Sequence, residues 1–404
     1  MTEASRTPVV LSLEQALSMS YATLRMVHMG WRVIRVEPTP IPGRSSKGDP
    51  NRYIGRPIAG EDRHSYYVAP NAGKEAVAIN LKTEEGRAVL HRMIRELPVD
   101  VFCTNTMPSR HESLGIDYET LRTCNSELIW CCISAMGLSQ PKVPGYDPVL
   151  QAVCGYMDLT GPADGPPTQC GPPLIDLKAG DEAFTQVLYA LWQRSEGHGG
   201  RLIDISMGRS AVSWLHTFLP MLDMDSEPEE LKRSGNEHRQ FIPVNAYRTA
   251  DGWIYVAIGS DAQWSRFTEA KLFDSLRQER FATNESRRAH KEDLHHLINN
   301  ITSQLSSAVL AKALAAAAIP HGPITPVDGV MDLPFVTKTA LRTVAPDGRV
   351  VRLPPAAVDT DHLTANDSTL SFSPAYGEHT NSLLSEVGIA ADEVDRLRTA
   401  GVIA

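Results

Sequence analysis

Apolar positions along this 404-residue chain switch repeatedly between a strand period and a helix period, and the order of the switches predicts the fold class. A short strand at 9–11 precedes helical spacing over 13–29 that stops at Gly30, and 33–37 returns to a β-branched run. Residues 71–83 read as a turn feeding a strand, helical spacing covers 84–97, and strands follow at 99–104, 128–134 and 201–207. Strand–helix–strand units in this order imply an α/β fold with a parallel, Rossmann-like sheet.

The pattern changes after about residue 224. A hydrophilic connector carrying Asp225, Glu227, Glu229, Glu230 and Lys232 leads to strands at 246–249 and 253–258, which flank the hairpin turn Ala250-Asp251-Gly252. Helical spacing at 262–273 and 286–318 completes a smaller α+β unit, and Pro320 to Pro326 reads as a return linker. A second hairpin turns at Asp347-Gly348, and amphipathic helices at 378–388 and 391–400 close the chain. The expected layout is a large domain over 1–224, a linker over 225–244, a small domain over 245–319 and a final segment over 320–404.

Charge and composition narrow the function. With 39 basic against 48 acidic residues the net charge is −9, which argues against a nucleic-acid surface but leaves room for a local basic pocket. The loop over 38–57 offers Arg44, Lys47, Arg52 and Arg56, either to phosphates or simply to water. No run approaches the roughly 18–20 apolar residues of a membrane span, and residues 1–8 lack a signal-peptide pattern, so a cytoplasmic protein is expected. The six cysteines form no Cys-x-x-Cys, adjacent Cys131 and Cys132 should face opposite sides of a strand, and no His-Glu-x-x-His occurs among the 13 histidines. Reduced packing cysteines and no metal site are expected. The glycines also fail to form Gly-x-Gly-x-x-Gly, which weakens a dinucleotide reading.

One stretch carries chemistry: Gly-Pro-Pro-Leu-Ile-Asp-Leu-Lys-Ala-Gly at 171–180. The prolines bar a helix before Leu174, while apolar spacing from Ala179 to Arg194 is helical, so Asp176 falls where a helix opens. Unpaired N–H groups and the helix dipole there favour a carboxylate by roughly 0.3–1 kcal/mol, which predicts an ionised side chain. Asp is also a favoured N-cap, so on spacing alone a purely structural cap is the preferred reading.

From Val9 to about Trp214 the chain resembles the class III CoA-transferases, the family of formyl-CoA:oxalate transferase, carnitine CoA-transferase and α-methylacyl-CoA racemase. There a proline-rich segment leads to an aspartate, then glycine four residues later, then a helix; Asp176, Gly180 and the helix from Asp181 reproduce the order. The resemblance implies that Asp176 is a covalent nucleophile and that a coenzyme A thioester is a substrate, with no permanently bound cofactor. It also implies contacts to CoA or its acyl group from Leu17 and Ser18, from Ile79, Asn80, Leu81 and Lys82, from Asn105, Thr106 and Met107, and from Gly145, Tyr146 and Asp147. Asn105 and Pro108 match the family's Asn-Phe-x-Pro, with Thr106 in place of the aromatic ring. Pro38 stands where members often carry a basic residue after the residue equivalent to Glu37, so a neighbouring arginine must substitute or that contact is missing.

By the same resemblance, the tail returns to the large domain and two chains interlock as a dimer, either two identical chains or a heteromer with a paralogous subunit. Oxyanion stabilisation would fall to backbone N–H groups near Asp176 or to a mobile glycine loop, nearest to which is Gly235-Asn236-Glu237-His238. Tyr146 replaces the histidine of the racemase branch, and a tyrosine of ordinary pKa is a poor base at neutral pH. Leu17, where the oxalate enzyme has glutamine, argues against oxalate. The expected reaction moves CoA from an acyl-CoA, such as succinyl-CoA, to a small carboxylic acid. The alternatives are an acyl-CoA α-proton racemase or isomerase and a non-catalytic CoA-binding subunit.

Overall fold

Six short apolar runs assemble into one sheet: β1 (Val9–Leu13), β2 (Arg32–Glu37), β3 (Glu75–Ala78), β4 (Val99–Thr104), β5 (Ile129–Ser134) and β6 (Arg201–Ser206). The computed structural model describes residues 6–40 and 47–404. Every neighbouring pair in the sheet is parallel and the order is β3-β2-β1-β4-β5-β6, the doubly wound order of Rossmann-like folds. β4 and β5 are buried at every position, including Cys131 and Cys132, as expected of a sheet covered on both faces. β6 closes one edge and leaves Arg201, Leu202 and Asp204 exposed.

The helices that build the site and its supporting core are α1 (Ser18–His28), α2 (Glu84–Glu96), α3 (Asp147–Val153), α4 (Leu174–Ser195) and α5 (Met207–Ser213). Val89, Leu90, Met93 and Ile94 of α2 share one core with Ile34, Val36 and Val77 of the sheet. Leu383 and Leu384 of the helix Thr380–Glu386, and Val394 and Leu397 of the helix Ala391–Thr399, join the same core. The end of the chain is therefore built into the large unit, which comprises the segment up to Cys154, Gly171–Thr217 and Met331–Ala404.

The second unit comprises Gly155–Cys170 and Phe218–Val330. Its hairpin is present as Val244–Arg248 and Trp253–Ala257, and the segment read as a linker adds a third antiparallel strand, His321–Pro323. Aromatic and aliphatic side chains, including Tyr247, Trp264, Phe267, Phe273, Phe281 and Leu294, fill its own core. The helix expected over 286–318 divides into Asn284–Ala289, Lys291–Thr302 and Ser307–Ala316, with Thr283 and Ser306 capping the first and last by their side chains. Gly155–Cys170 leaves the large unit although no change of period marks it in the sequence.

Two boundaries differ from expectation where the site forms. β1 runs on to Leu13 and α1 begins only at Ser18, because Glu14 is drawn inward to Lys74 at 2.7 Å and Ala16 adopts φ +54°. The helix that opens at Asp147 stops at Val153, before Gly155 at φ +85°. Among the described residues no helix is long and apolar enough to cross a membrane.

Replacing Leu384, fully buried in the shared core, with alanine is expected to cost about 2–4 kcal/mol. The urea midpoint of the large unit reports it, and a change below about 1 kcal/mol would mean that the terminal helices are not part of that core.

Candidate active site

Parallel strands all end on one side of their sheet, and here four of them end at a cavity of about 320 Å³. Gln15, Ala16 and Ser18 enter it after β1, Asn105 and Met107 after β4, Ser134 and Ala135 around the end of β5, and Met207 after β6. A second cavity of about 470 Å³ follows the ends of β1, β2 and β3, lined by Thr39, Ile79, Asn80, Leu81 and Lys82, with Thr106 and Arg110 from beyond β4. Gln15, Pro50 and Met107 line both. The pair spans the point where strand order reverses between β1 and β4, the place at which open α/β sheets hold ligands.

Asp176 is the one charged side chain among the described residues lining the smaller cavity. It occupies the first turn of α4, which starts directly after Pro173, so the prolines set the helix start and the helix already includes Asp176. Gly180, one turn on, fixes where that end of the helix lies. A Cβ there would sit 2.7 Å from the carbonyl oxygen of Ser18 and 2.9 Å from the ring of Tyr21, so only glycine lets α4 close on α1 at this depth. Arg25 secures the contact by pairing with Asp181 and lying 4.5 Å over the ring of Phe184. Gly145 makes a similar close approach, since a Cβ would lie 2.6 Å from Cβ of Ala135.

Asp147 does not face the cavity, contrary to its expected role as a ligand contact. It is 3% exposed, its Oδ2 accepts the N–H groups of Ile175 at 2.7 Å and Asp176 at 3.1 Å, and its Oδ1 accepts from Gln151 Nε2 at 2.5 Å. It is a cap for α4 delivered from α3. The expectation that free N–H groups would keep Asp176 ionised, or stabilise an oxyanion, fails at these two positions because Asp147 occupies both. Burial first, and the charge of Asp147 second, push the Asp176 carboxyl up to about 7. Its carboxylate has no hydrogen-bond or ion-pair partner among the described residues.

The other expected contacts divide. Ser18, Asn105, Gly145 and Tyr146 line the smaller cavity, Ile79 to Lys82 and Thr106 the larger, and Met107 both. Leu17 lines neither and only precedes α1. Asn105 is committed to the backbone of Gln15, donating to its carbonyl at 2.7 Å and accepting its N–H at 3.0 Å, and so clamps the β1–α1 loop. Tyr146 is 74% exposed.

Arg52 is removed from the candidates for phosphate binding: it is fully buried, paired with Glu37 at 2.5 Å and Asp62 at 3.1 Å, and bonded to Tyr67. Lys47 and Arg56 are exposed, and Arg44 lies outside the described residues. The cations that do line the larger cavity are Lys82 and Arg110. Arg110 and Gln15 are not singled out by the sequence, although each follows the carboxyl end of a strand. Gly235-Asn236-Glu237-His238 belongs to the second unit and is pinned: Glu237 meets Lys291 at 2.6 Å and His295 at 2.8 Å, and Tyr255 donates to the carbonyl of Asn236 at 3.0 Å.

The doubly wound sheet, with a lone carboxylate in one cavity at its switch point and Lys82 and Arg110 in the cavity that shares its lining, defines an α/β protein with a ligand site at the carboxyl edge of its sheet. A sequence model described as CoA-transferase family III matches residues 8–380; the chain belongs to this family and is an enzyme of that class. It is 31% identical over 393 residues to the succinate–glutarate CoA-transferase of Agrobacterium fabrum, with 94% of each chain covered. Human succinyl-CoA:glutarate CoA-transferase is 28% identical over 404 residues, covering 98% of this chain and 88% of that protein. The crystal structure of a CaiB/BaiF family protein from Brucella suis has a TM-score of 0.81 at 28% identity, covering 94% of this chain and 98% of that one.

The raised pKa of Asp176 has a sign that can be measured. An acid whose folded pKa lies above its unfolded value stabilises the fold below the unfolded pKa, near 4, and that contribution is lost as pH rises through about 7. Asp176→Asn is therefore expected to be more stable than the parent at pH 8 by on the order of 1–3 kcal/mol, with the gap closing towards pH 4. Denaturation curves at the two pH values check this; a variant less stable at pH 8 contradicts it.

Proposed function

We propose that this enzyme transfers CoA from succinyl-CoA to a small carboxylic acid, glutarate-like in the first instance, through covalent intermediates on Asp176. The observation that carries the proposal is the unpartnered, partly buried carboxylate of Asp176, alone among neutral neighbours in the smaller cavity. A carboxylate without a cation or hydrogen bond is a stronger nucleophile than one held in a salt bridge. The names of the Agrobacterium and human relatives support the donor and the class of acceptor.

The nucleotide end of CoA is assigned to the larger cavity, with Lys82 and Arg110 near its phosphates, and the pantetheine arm passes Gln15 and Met107. An oxygen of Asp176 attacks the thioester carbonyl, the C–S bond breaks, and CoA thiolate leaves an aspartyl–succinyl anhydride. The thiolate then attacks Cγ of Asp176, the C–O bond breaks, succinate departs, and an aspartyl-CoA thioester remains. The acceptor carboxylate attacks the same Cγ and releases thiolate, which attacks the acceptor's carbonyl in the second anhydride and restores Asp176. One thioester replaces another, so no net proton, electron or high-energy phosphate is consumed.

An α-proton inversion has less support, because Asp147, the second acid it would call on, is closed in by three hydrogen bonds. Assembly with a second chain belongs to the proposal. Tyr189, Trp192 and Trp214 are 47%, 58% and 52% exposed, and a hollow of about 1070 Å³ runs beside β6; these are the surfaces a second chain would cover. All six cysteines are free, which supports a reducing compartment such as the cytoplasm.

Asp176→Ala and Asp176→Asn are expected to lose at least about 10³-fold in kcat with succinyl-CoA and glutarate, the loss typical of a removed covalent nucleophile. In the parent, the first half-reaction should speed up about tenfold per pH unit below 7 and level off above, as the carboxylate forms. Variants within tenfold of the parent would refute the role of Asp176.

A further inference from the structure

The two cavities share part of their lining, and the chain builds that part from segments far apart in sequence. Gln15, Pro50 and Met107 line both cavities, so whatever joins one to the other must pass them. Asn105 holds the backbone of Gln15 itself, and a single further side chain holds the residues that follow Gln15 and Pro50. Asp49 immediately precedes Pro50, and its Oδ1 accepts the N–H of Asn51 at 2.9 Å and the N–H of Ala16, next to Gln15, at 3.3 Å. Ala16 is held at φ +54°, a left-handed conformation that a side chain other than glycine adopts only when its surroundings impose it.

Asp49 is itself fixed from behind. It is 2% exposed, its Oδ2 meets Arg35 at 2.8 Å, and its own N–H donates to Glu37 at 3.0 Å. Arg35 in turn meets Glu14 at 3.2 Å, and Glu14 meets Lys74 at 2.7 Å, with all these side chains buried. The acids and bases thus alternate from Lys74, just before β3, through Glu14 and Arg35 to Asp49. Such a chain is stiff, because displacing one member leaves a buried charge unpaired.

The geometry points to Asp49 as a positioning residue that sets the passage between the nucleotide and reaction cavities by holding Ala16 left-handed and Asn51 against the same wall. This rests on the reading that CoA spans both cavities. Asp49 lines the larger cavity but not the smaller one that holds Asp176, so its removal should act on binding of the extended substrate more than on the chemical steps.

Three variants separate this from a role in burying Arg35. Asp49→Ala is expected to raise KM for succinyl-CoA roughly tenfold, what a lost buried hydrogen bond is worth, with a smaller fall in kcat. Asp49→Asn keeps an oxygen for both N–H groups while its amide nitrogen faces Arg35, so it should be less stable than the parent yet raise KM clearly less than Asp49→Ala does. Adding Ala16→Gly to Asp49→Ala should recover at least about threefold, because glycine is left-handed without help. Glycine at position 16 brings no charge and could not rescue an unpaired arginine. Loss in Asp49→Asn as large as in Asp49→Ala, or no rescue by glycine, overturns the proposal. Hydrogen exchange in the free protein reads the same hold without substrate: amides of Ala16 and Asn51 should lose protection in Asp49→Ala and keep it in Asp49→Asn. Unchanged protection in Asp49→Ala overturns the positioning role, while a parent that shows no saturation by succinyl-CoA overturns the assignment of the cavities and leaves the exchange result to judge Asp49.

Discussion

Two carboxylates lie at the start of one helix, and only one of them can have its N–H groups. Asp147 takes those of Ile175 and Asp176, so Asp176 is left with the cavity in front of it and a negative charge behind it. That division of roles makes one acid structural and leaves the other unpartnered in the cavity. It depends on Gly180, whose missing Cβ allows α4 to approach the Ser18 end of α1, and on the prolines that start the helix where they do. The helix dipole acts in the opposite direction but amounts to a fraction of what burial and a neighbouring charge impose.

The rest of the site is held by buried charge. Lys74, Glu14, Arg35 and Asp49 run through the interior under the β1–α1 loop, and Glu37, Arg52 and Asp62 continue the alternation towards the loop after β2. Burial draws the Lys74 ammonium down to about 8, and the charge of Glu14 keeps it from falling further. Replacing such a network with apolar side chains often costs a fold little, so its presence here is better explained by the placement of loops than by stability. Loops at the carboxyl edge of a sheet have no ladder to define them, and side-chain acceptors buried beneath them do that work.

Much of the sheet was legible from pattern because its strands are buried on both faces and read as unbroken apolar runs, and 99–104 is matched residue for residue. Asp176 was legible because proline and helical spacing are local. The role of Asp147 was not, since the cap joins residues 28 apart and nothing near position 147 announces its partners. Arg52 reads as a surface cation by composition; its true partner, Glu37, comes from the end of β2, and pairing across 15 residues leaves no periodic trace. The start of α1 was misplaced for a similar reason, because Glu14 fits a helical period while its charge is claimed by Lys74, 60 residues away. Local rules located the elements, and long-range electrostatics decided the turns between them.

The central claim is that the Asp176 side chain becomes covalently bonded to CoA during turnover. Mass spectrometry of the enzyme after mixing with succinyl-CoA and quenching in acid tests it most directly. The account predicts an adduct of the mass of CoA, labile to hydroxylamine, on the peptide containing Asp176. An enzyme that turns over fully while that peptide stays unmodified, or that carries the adduct on another residue, would contradict it.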